Sequence, residues 1–253
     1  MPMAVLQGIW LVLHRQLIQL IRNPVWILVG ILDPVLLLLL YAPLLRQALG
    51  LGSNGEAYAT FVPGLLVMIA ALGGLFQGFV MLTELRAGVI ERSLVTPIPR
   101  VSLLLGRCLR DVVVVLWQAV ILTLLALLFG LHIHVVGTLV SYAVVALVVL
   151  AISAFSNGLA LSVRNDASLT PMLNSLSQPL VLLSGILLPM ALAPLWLRDI
   201  SRWNPLSWAV DAVRAAFAGR IGDDIVWQGL VIMGAAALLG LVYGTRQIPR
   251  SVR

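Results

Sequence analysis

The sequence predicts an all-α, polytopic membrane protein: six transmembrane helices, an interfacial amphipathic helix at the N-terminus and short re-entrant helices before the last span. Three observations carry this. Of the 253 residues, 61% are hydrophobic and only 10% charged, against roughly 45–50% and about 25% in soluble domains. Six stretches, 25–45, 61–83, 112–130, 135–161, 170–190 and 225–244, are near-continuous runs of Leu, Val, Ile and Ala, each about the 20 residues that a bilayer core requires. None shows the period-2 alternation of a membrane β-strand. Each must therefore satisfy its backbone hydrogen bonds internally, as a helix.

Residues 4–22 open the chain as an amphipathic helix. No charged region leads them and no small-residue cleavage site follows, so they do not read as a signal peptide. Leu6, Ile9, Trp10, Leu13, Leu17, Leu20 and Ile21 recur at helical spacing. Gln7, His14, Arg15, Gln16, Gln19 and Arg22 fall largely on the other side, as expected of a helix lying in the cytoplasmic interface. Pro24 forbids a continuous helix through Asn23, and the first span follows. Segments 46–60 and 131–137 are short external turns. Segment 84–111 is the longest cytoplasmic stretch, 162–169 the second, and 191–224 the longest external one. In the last, Trp196, Trp203 and Trp208 suit a membrane boundary, as does Trp227 just beyond it. Asn204-Pro205 reads as the cap and first position of a short helix that Gly219 can end. The whole chain, 1–253, reads as a single membrane domain.

Charge agrees with this path. With the N-terminus inside, the cytoplasmic segments hold Arg15, Arg22, Arg86, Arg92, Arg100, Arg107, Arg110, Arg164, Arg246, Arg250 and Arg253. The external segments hold only Arg46, Arg198, Arg202, Arg214 and Arg220, as the positive-inside rule expects. Both termini are then cytoplasmic. The net charge of +6 reflects this topology and not a nucleic-acid partner. All 16 basic residues are Arg, which excludes a Walker A phosphate loop, whose Lys is required, and any Schiff-base lysine. Cys108 is the lone cysteine, so neither an internal disulfide nor a multi-Cys metal site can form. His132 and His134 read as an ordinary surface turn. The chain is expected to bind no cofactor or metal and to catalyse nothing itself.

The segment 84–100 is the most informative. Glu84, Gly88, Glu91 and Val95 share one helical face, Arg86 and Arg92 add charge, and Thr96-Pro97 with Pro99 end the helix. A short charged helix at a membrane edge is shaped to dock into a groove on a soluble partner; it is equally readable as a solvated loop. The pattern Glu84-x-x-x-Gly88-x-x-Glu91-Arg92-x-x-x-Thr96-Pro97-x-x-Arg100 resembles the cytoplasmic loop of type-2 ABC export permeases, the daunorubicin-exporter-like, nodulation-factor and polysaccharide exporters. Other pieces agree in order: Arg22-Asn23-Pro24, Pro34, Phe61-Val62-Pro63-Gly64, Gly106-Arg107, and Asn204-Pro205-Leu206 with Asp211 and Arg214.

The resemblance implies that Glu84, Arg86, Gly88, Glu91, Arg92, Thr96 and Pro97 belong to a coupling helix. This helix would meet a separate soluble ABC ATPase, present in two copies and holding ATP and Mg. It implies a smaller second contact near Arg164, Asn165 and Asp166. It also implies a second permease copy, as homodimer or heterodimer, with a substrate path between copies along the second and fifth spans, and a bacterial inner-membrane location. Independently, Asn174, Ser177, Gln178, Ser184 and Gly185 fall within one sector of the fifth span. Such a face should look into protein or a cavity; hydrogen bonding within one subunit is the other reading. Gln77 beside Gly73, Gly74 and Gly78 admits either path lining or close helix packing. Asp33, an ionisable group at membrane depth, is a path candidate by default. The function expected is export of a hydrophobic or amphipathic drug- or lipid-like substrate. Export of a polysaccharide or glycolipid is the alternative within the family, and a secondary carrier or channel the alternative outside it.

Overall fold

The computed structural model describes residues 2–22, 24–50, 53–89, 99–186, 190 and 193–248. All regular structure among them is helical: α1 Pro2–Ile21, α2 Pro24–Leu49, α3 Asn54–Leu75, α4 Gln77–Arg86, α5 Arg100–Leu128, α6 Val135–Val163, α7 Asp166–Leu183, α8 Leu195–Ser201, α9 Pro205–Phe217 and α10 Asp224–Gln247. Five described stretches are long and apolar enough to cross a bilayer: Gly30–Gln47, Gly55–Arg86, Val101–Leu128, Val135–Val163 and Asp224–Gln247. They correspond to the first four expected spans and the last. The expected span at 170–190 falls on α7, an 18-residue helix carrying Pro171 and Pro179. Asn174, Ser175, Ser177 and Gln178 dilute its apolar content, and it is not among the five.

The third span begins at Val101 and not at 112. Arg107, Arg110 and Asp111 make 100–111 look like a cytoplasmic loop, yet these residues lie on the first turns of α5 and find partners inside the bundle. α1 packs against that same end of α5. A Cβ on Gly106 would lie 2.7 Å from Val12 Cβ, and Ser102 Oγ donates to the Val5 carbonyl at 3.1 Å. Gln16, expected on the solvent side of α1, is buried instead.

α6 is the central helix, in contact with α3, α4, α5, α7, α9 and α10. Small residues bring backbones together there. A Cβ at Gly240 of α10 would stand 2.7 Å from the Ala151 carbonyl oxygen, and one at Gly244 2.8 Å from that of Ala154. The second span is broken at Phe76, between α3 and α4. Ser156 of α6 fills the break: its Oγ accepts from the Gly78 N–H at 3.1 Å and donates to the Leu75 carbonyl. A side chain inserted into the helical ladder is an identifiable cause of such a kink. Gly78 is required at this approach, since a Cβ would sit 2.6 Å from Ser156 Oγ. Packing, not path lining, explains this glycine.

The helices run alternately, so 86–89, 164–166 and the end of α10 share one face of the bundle. Gly50 after α2, Ser53 before α3, the turn at 129–134 and the connection 218–223 share the opposite face. Ala216 and Gly137, 79 positions apart, meet there, a Cβ at Gly137 lying 1.9 Å from the Ala216 carbonyl oxygen.

The α6–α10 contact generates a prediction. Gly240→Val should lower thermal stability in detergent by about 1–3 kcal/mol, the usual cost of overpacking. Gly234→Ala, with open space around its Cβ position, should leave it unchanged. Equal behaviour of the two variants would show that the backbones do not approach as described.

Candidate functional site

The described coupling candidates, Glu84, Arg86, Gly88, Arg164 and Asp166, gather at the face holding 86–89 and 164–166. α4 is a ten-residue rod from Gln77 to Arg86, with partners along its length. Near its start, Gln77 accepts from Arg110 of α5. One turn on, Met81 Sδ lies 2.9 Å from an Arg107 nitrogen. Glu84 then forms an ion pair with Arg107, and its other oxygen accepts from Gln16 of α1 at 3.3 Å. At the tip, Arg86 pairs with Asp166 at the start of α7. α4 is thereby tied to α1, α5 and α7 by side chains, and to α6 by Ser156.

Behind Glu84 the polar network continues inward. Arg110 pairs with Asp111, Asp111 accepts from Ser153 of α6, and Asn157 donates to Ser153 Oγ at 3.4 Å. Arg107, Asp111, Ser153 and Asn157 are all buried. Beside them lies a cavity of about 360 Å³, lined by Gln16, Gln19, Gln77, Glu84, Arg110 and Gln118 among others. Charged groups at membrane depth persist when paired, and here each has a partner.

The expected site residues separate into three groups. Glu84, Arg86, Arg164 and Asp166 converge on one face. Glu84, expected on the docking surface of a solvated helix, turns inward to Arg107. Arg86 and Asp166 stay about half exposed, and Gly88, just past α4, has a φ of +68° that favours glycine. Arg164 closes α6 in the left-handed region, with φ 55°, a strained position for a non-glycine residue. Asn165 caps α7, accepting from the Ala167 N–H at 3.1 Å. Glu91, Arg92, Thr96 and Pro97 lie outside the described residues.

The sector expected on α7 is divided. Asn174 and Gln178 are exposed. Ser177 and Ser184 are buried and donate to the carbonyls of Asn174 and Val181. Gly185 gives its carbonyl to Arg214 at 2.8 Å. Gln77 belongs to the charged network, and Asp33 is exposed on α2. Asp111, Ser153 and Asn157 are partners that the sequence does not single out, and Arg107 and Gln16 stand out in it only as a motif residue and as part of the polar face of α1. Their signal is paired spacing: Arg107 with Asp111 and Ser153 with Asn157 are each i, i+4, one face of a helix, and Gln77 with Glu84 is i, i+7.

Residues 7–218 match the family described as ABC-2 type transporter. The chain belongs to this family. It is therefore a membrane transport permease, and its sequence carries no ATP-binding loop. Among named relatives, it is 30% identical over 217 residues to a "putative transport permease ycf38" of Cyanophora paradoxa, covering 84% of this chain and 75% of that one. It is 27% identical over 244 residues to the "daunorubicin resistance ABC transporter permease protein DrrB1" of Streptomyces coeruleorubidus, covering 94% and 82%. A "probable multidrug ABC transporter permease YbhR" of Escherichia coli is 24% identical over 172 residues, 67% of this chain and 46% of that one. Among the described residues no cluster of three His, Cys, Asp or Glu side chains is placed to hold a metal ion.

In this permease the Glu84–Arg107 pair should be energetically coupled. Arg107→Leu alone leaves a carboxylate largely buried and should cost about 3–5 kcal/mol. Glu84→Leu/Arg107→Leu together should recover much of that loss. Thermal unfolding of the four proteins of the double-mutant cycle checks this; additive losses would mean that the two side chains do not interact.

Proposed function

We propose that the chain is the membrane subunit of an ATP-driven exporter and works with a separate ATPase. One observation carries the reading. The Arg86–Asp166 pair joins the end of α4 to the start of α7, so the two cytoplasmic segments expected to meet an ATPase form a single patch. A partner pressing on that patch displaces α4, and α4 is clasped to α1, α5, α6 and α7. Arg164, beside Asp166, belongs to the same patch, and Glu91, Arg92, Thr96 and Pro97, which follow α4 in the sequence, are proposed contacts of the same partner. ATP and Mg belong on the partner, two copies of which serve two permease copies.

The rest of the assignment follows from the same frame. The chain crosses a bacterial inner membrane six times, with α7 as the fifth crossing and both termini cytoplasmic. α1 lies in the interface, and α8 and α9 are re-entrant. The exported substrate is hydrophobic or amphipathic. An apolar cavity of about 520 Å³ supports this; Phe155, Leu176, Leu180, Leu206, Met233 and Tyr243 are among its walls, and apolar walls favour apolar ligands. Asn174 and Gln178, exposed on α7, face the path between two copies, and Asp33 on α2 is a further candidate contact there.

Two experiments test this. Arg86→Asp should change stability by no more than about 1 kcal/mol, since a half-exposed ion pair contributes little. It should nevertheless weaken co-purification with the ATPase or uncouple ATP hydrolysis from transport, and Arg86→Asp/Asp166→Arg should restore coupling. Unchanged complex formation, hydrolysis and transport in Arg86→Asp would reduce the patch to a connector. Separately, Asn174→Leu/Gln178→Leu should alter transport or substrate-stimulated hydrolysis with assembly intact; wild-type behaviour towards every substrate tested removes these residues from the path.

A further inference from the structure

At the opposite face from Arg86 and Asp166 there is a second charged place, which the coupling patch does not use. α8, α9, the connection 218–223 and the start of α10 surround a cavity of about 650 Å³. Arg198, Arg202, Arg214 and Arg220 line it, against two carboxylates, Asp211 and Asp223. The volume is in the range of small-molecule sites, about 300–1,000 Å³.

Arg214 is anchored but not saturated. Arg214 donates to the carbonyls of Gly185 and Ile186 at 2.8 and 3.4 Å, which holds the end of α7 to α9. Its Nε is buried and has no hydrogen-bond partner among the described residues. The acids stand off: Arg214–Asp211 is 4.0 Å, Arg220–Asp223 3.7 Å and Arg202–Asp199 3.7 Å. A charge-assisted hydrogen bond is about 2.7–2.9 Å, so these pairs leave guanidinium donors available. Burial lowers the pKa of Arg214 and raises that of Asp211, each opposed by the other.

The depth of the cavity narrows the ligand. Trp196, Trp203 and Trp227, each within two positions of a lining residue (Arg198, Arg202 and Ile225), are exposed, Trp203 to 90%, and tryptophans are enriched at the membrane–water interface. Trp208 lines the cavity, its indole N–H fixed on the Arg202 carbonyl at 3.0 Å. Phosphate is the anion common to phospholipid headgroups, and the planar fork of a guanidinium matches a phosphate in a bidentate manner. We propose that this arginine cavity binds a phosphate-bearing headgroup at the membrane surface opposite the coupling patch. Binding here is separable from transport, so its failure leaves the exporter reading standing.

The test uses the full chain in neutral detergent. Short-chain phosphatidylglycerol and, separately, inorganic phosphate are titrated while thermal unfolding is followed. The expected result is a saturable rise in Tm with phosphatidylglycerol. In Arg202→Gln/Arg220→Gln, where both side chains are largely exposed and tolerate replacement, the apparent Kd should rise about tenfold. Arg15→Gln/Arg22→Gln, the same change of charge on α1, should keep wild-type affinity. A rise with inorganic phosphate as well assigns recognition to the phosphoryl group alone, and a rise only with phosphatidylglycerol assigns it to the lipid headgroup. No rise with either ligand overturns the proposal. So does full retention in the first double variant, or equal loss in both. Should the double variant not fold, Arg202→Gln alone must weaken binding by a measurable factor, and wild-type affinity in that variant overturns the proposal too.

Discussion

A bilayer core offers no water, so a polar group carried into this bundle is costly unless it meets a partner there. The constraint is strictest on α6, which is enclosed by other helices yet carries Ser153, Ser156 and Asn157 at their centre. Each is occupied: Ser153 by Asp111, Ser156 by the backbone at the break of the second span, Asn157 by Ser153. The positions of α3, α4 and α5 around α6 follow from these contacts. Small residues then set how closely α10 closes the other side.

Stability alone does not account for the charged pairs. Apolar side chains of similar volume often serve as well as a buried ion pair, or better. What the pairs add is register: Glu84 meets Arg107, and Asp111 meets Ser153, in only one alignment of α4, α5 and α6. A rod held in register at Gln77, Met81, Glu84 and Arg86 moves with its neighbours when its tip is displaced. The break at Phe76 separates that rod from α3, so displacement of α4 need not tilt the whole second span. This arrangement is suited to transmitting a push from one face.

The apolar runs make four spans and the last one legible, because length and composition alone decide whether a helix can cross lipid. Pro24 and Asn204-Pro205 likewise mark helix starts locally, whereas the cap at Ser53 falls inside the segment 46–60 that reads as an external turn. The start of α5 is different. Arg107, Arg110 and Asp111 carry the composition of a loop, and only the partners on α4 and α6, 23 to 42 positions away, reveal them as enclosed. Gln16 misleads in the same way, since an amide on an amphipathic helix reads as solvent-facing until Glu84 is seen beside it. On α7 the sector containing Asn174, Ser177 and Gln178 is legible as polar. Which of these residues faces outward depends on how α7 leans against the bundle, with only Leu169, Leu173 and Ser177 buried, and sequence does not carry that information.

The two faces of the bundle use arginine differently. Towards α4, Arg107 and Arg110 are enclosed and paired closely with Glu84 and Asp111, so their charge is spent inside the protein. At the other face Arg202 and Arg220 are largely exposed and stand 3.7 Å from their acids, a separation at which water or a ligand can intervene. A closely paired, enclosed guanidinium is held in place by its ion pair and by helix packing, which leaves it little freedom to turn towards a molecule arriving from outside. A loosely paired one at headgroup depth can exchange a carboxylate for a phosphate at little cost. The absence of lysine sharpens the contrast: every cation is a planar fork, equally fit for a fixed internal pair or for bidentate recognition, and the surroundings alone decide which.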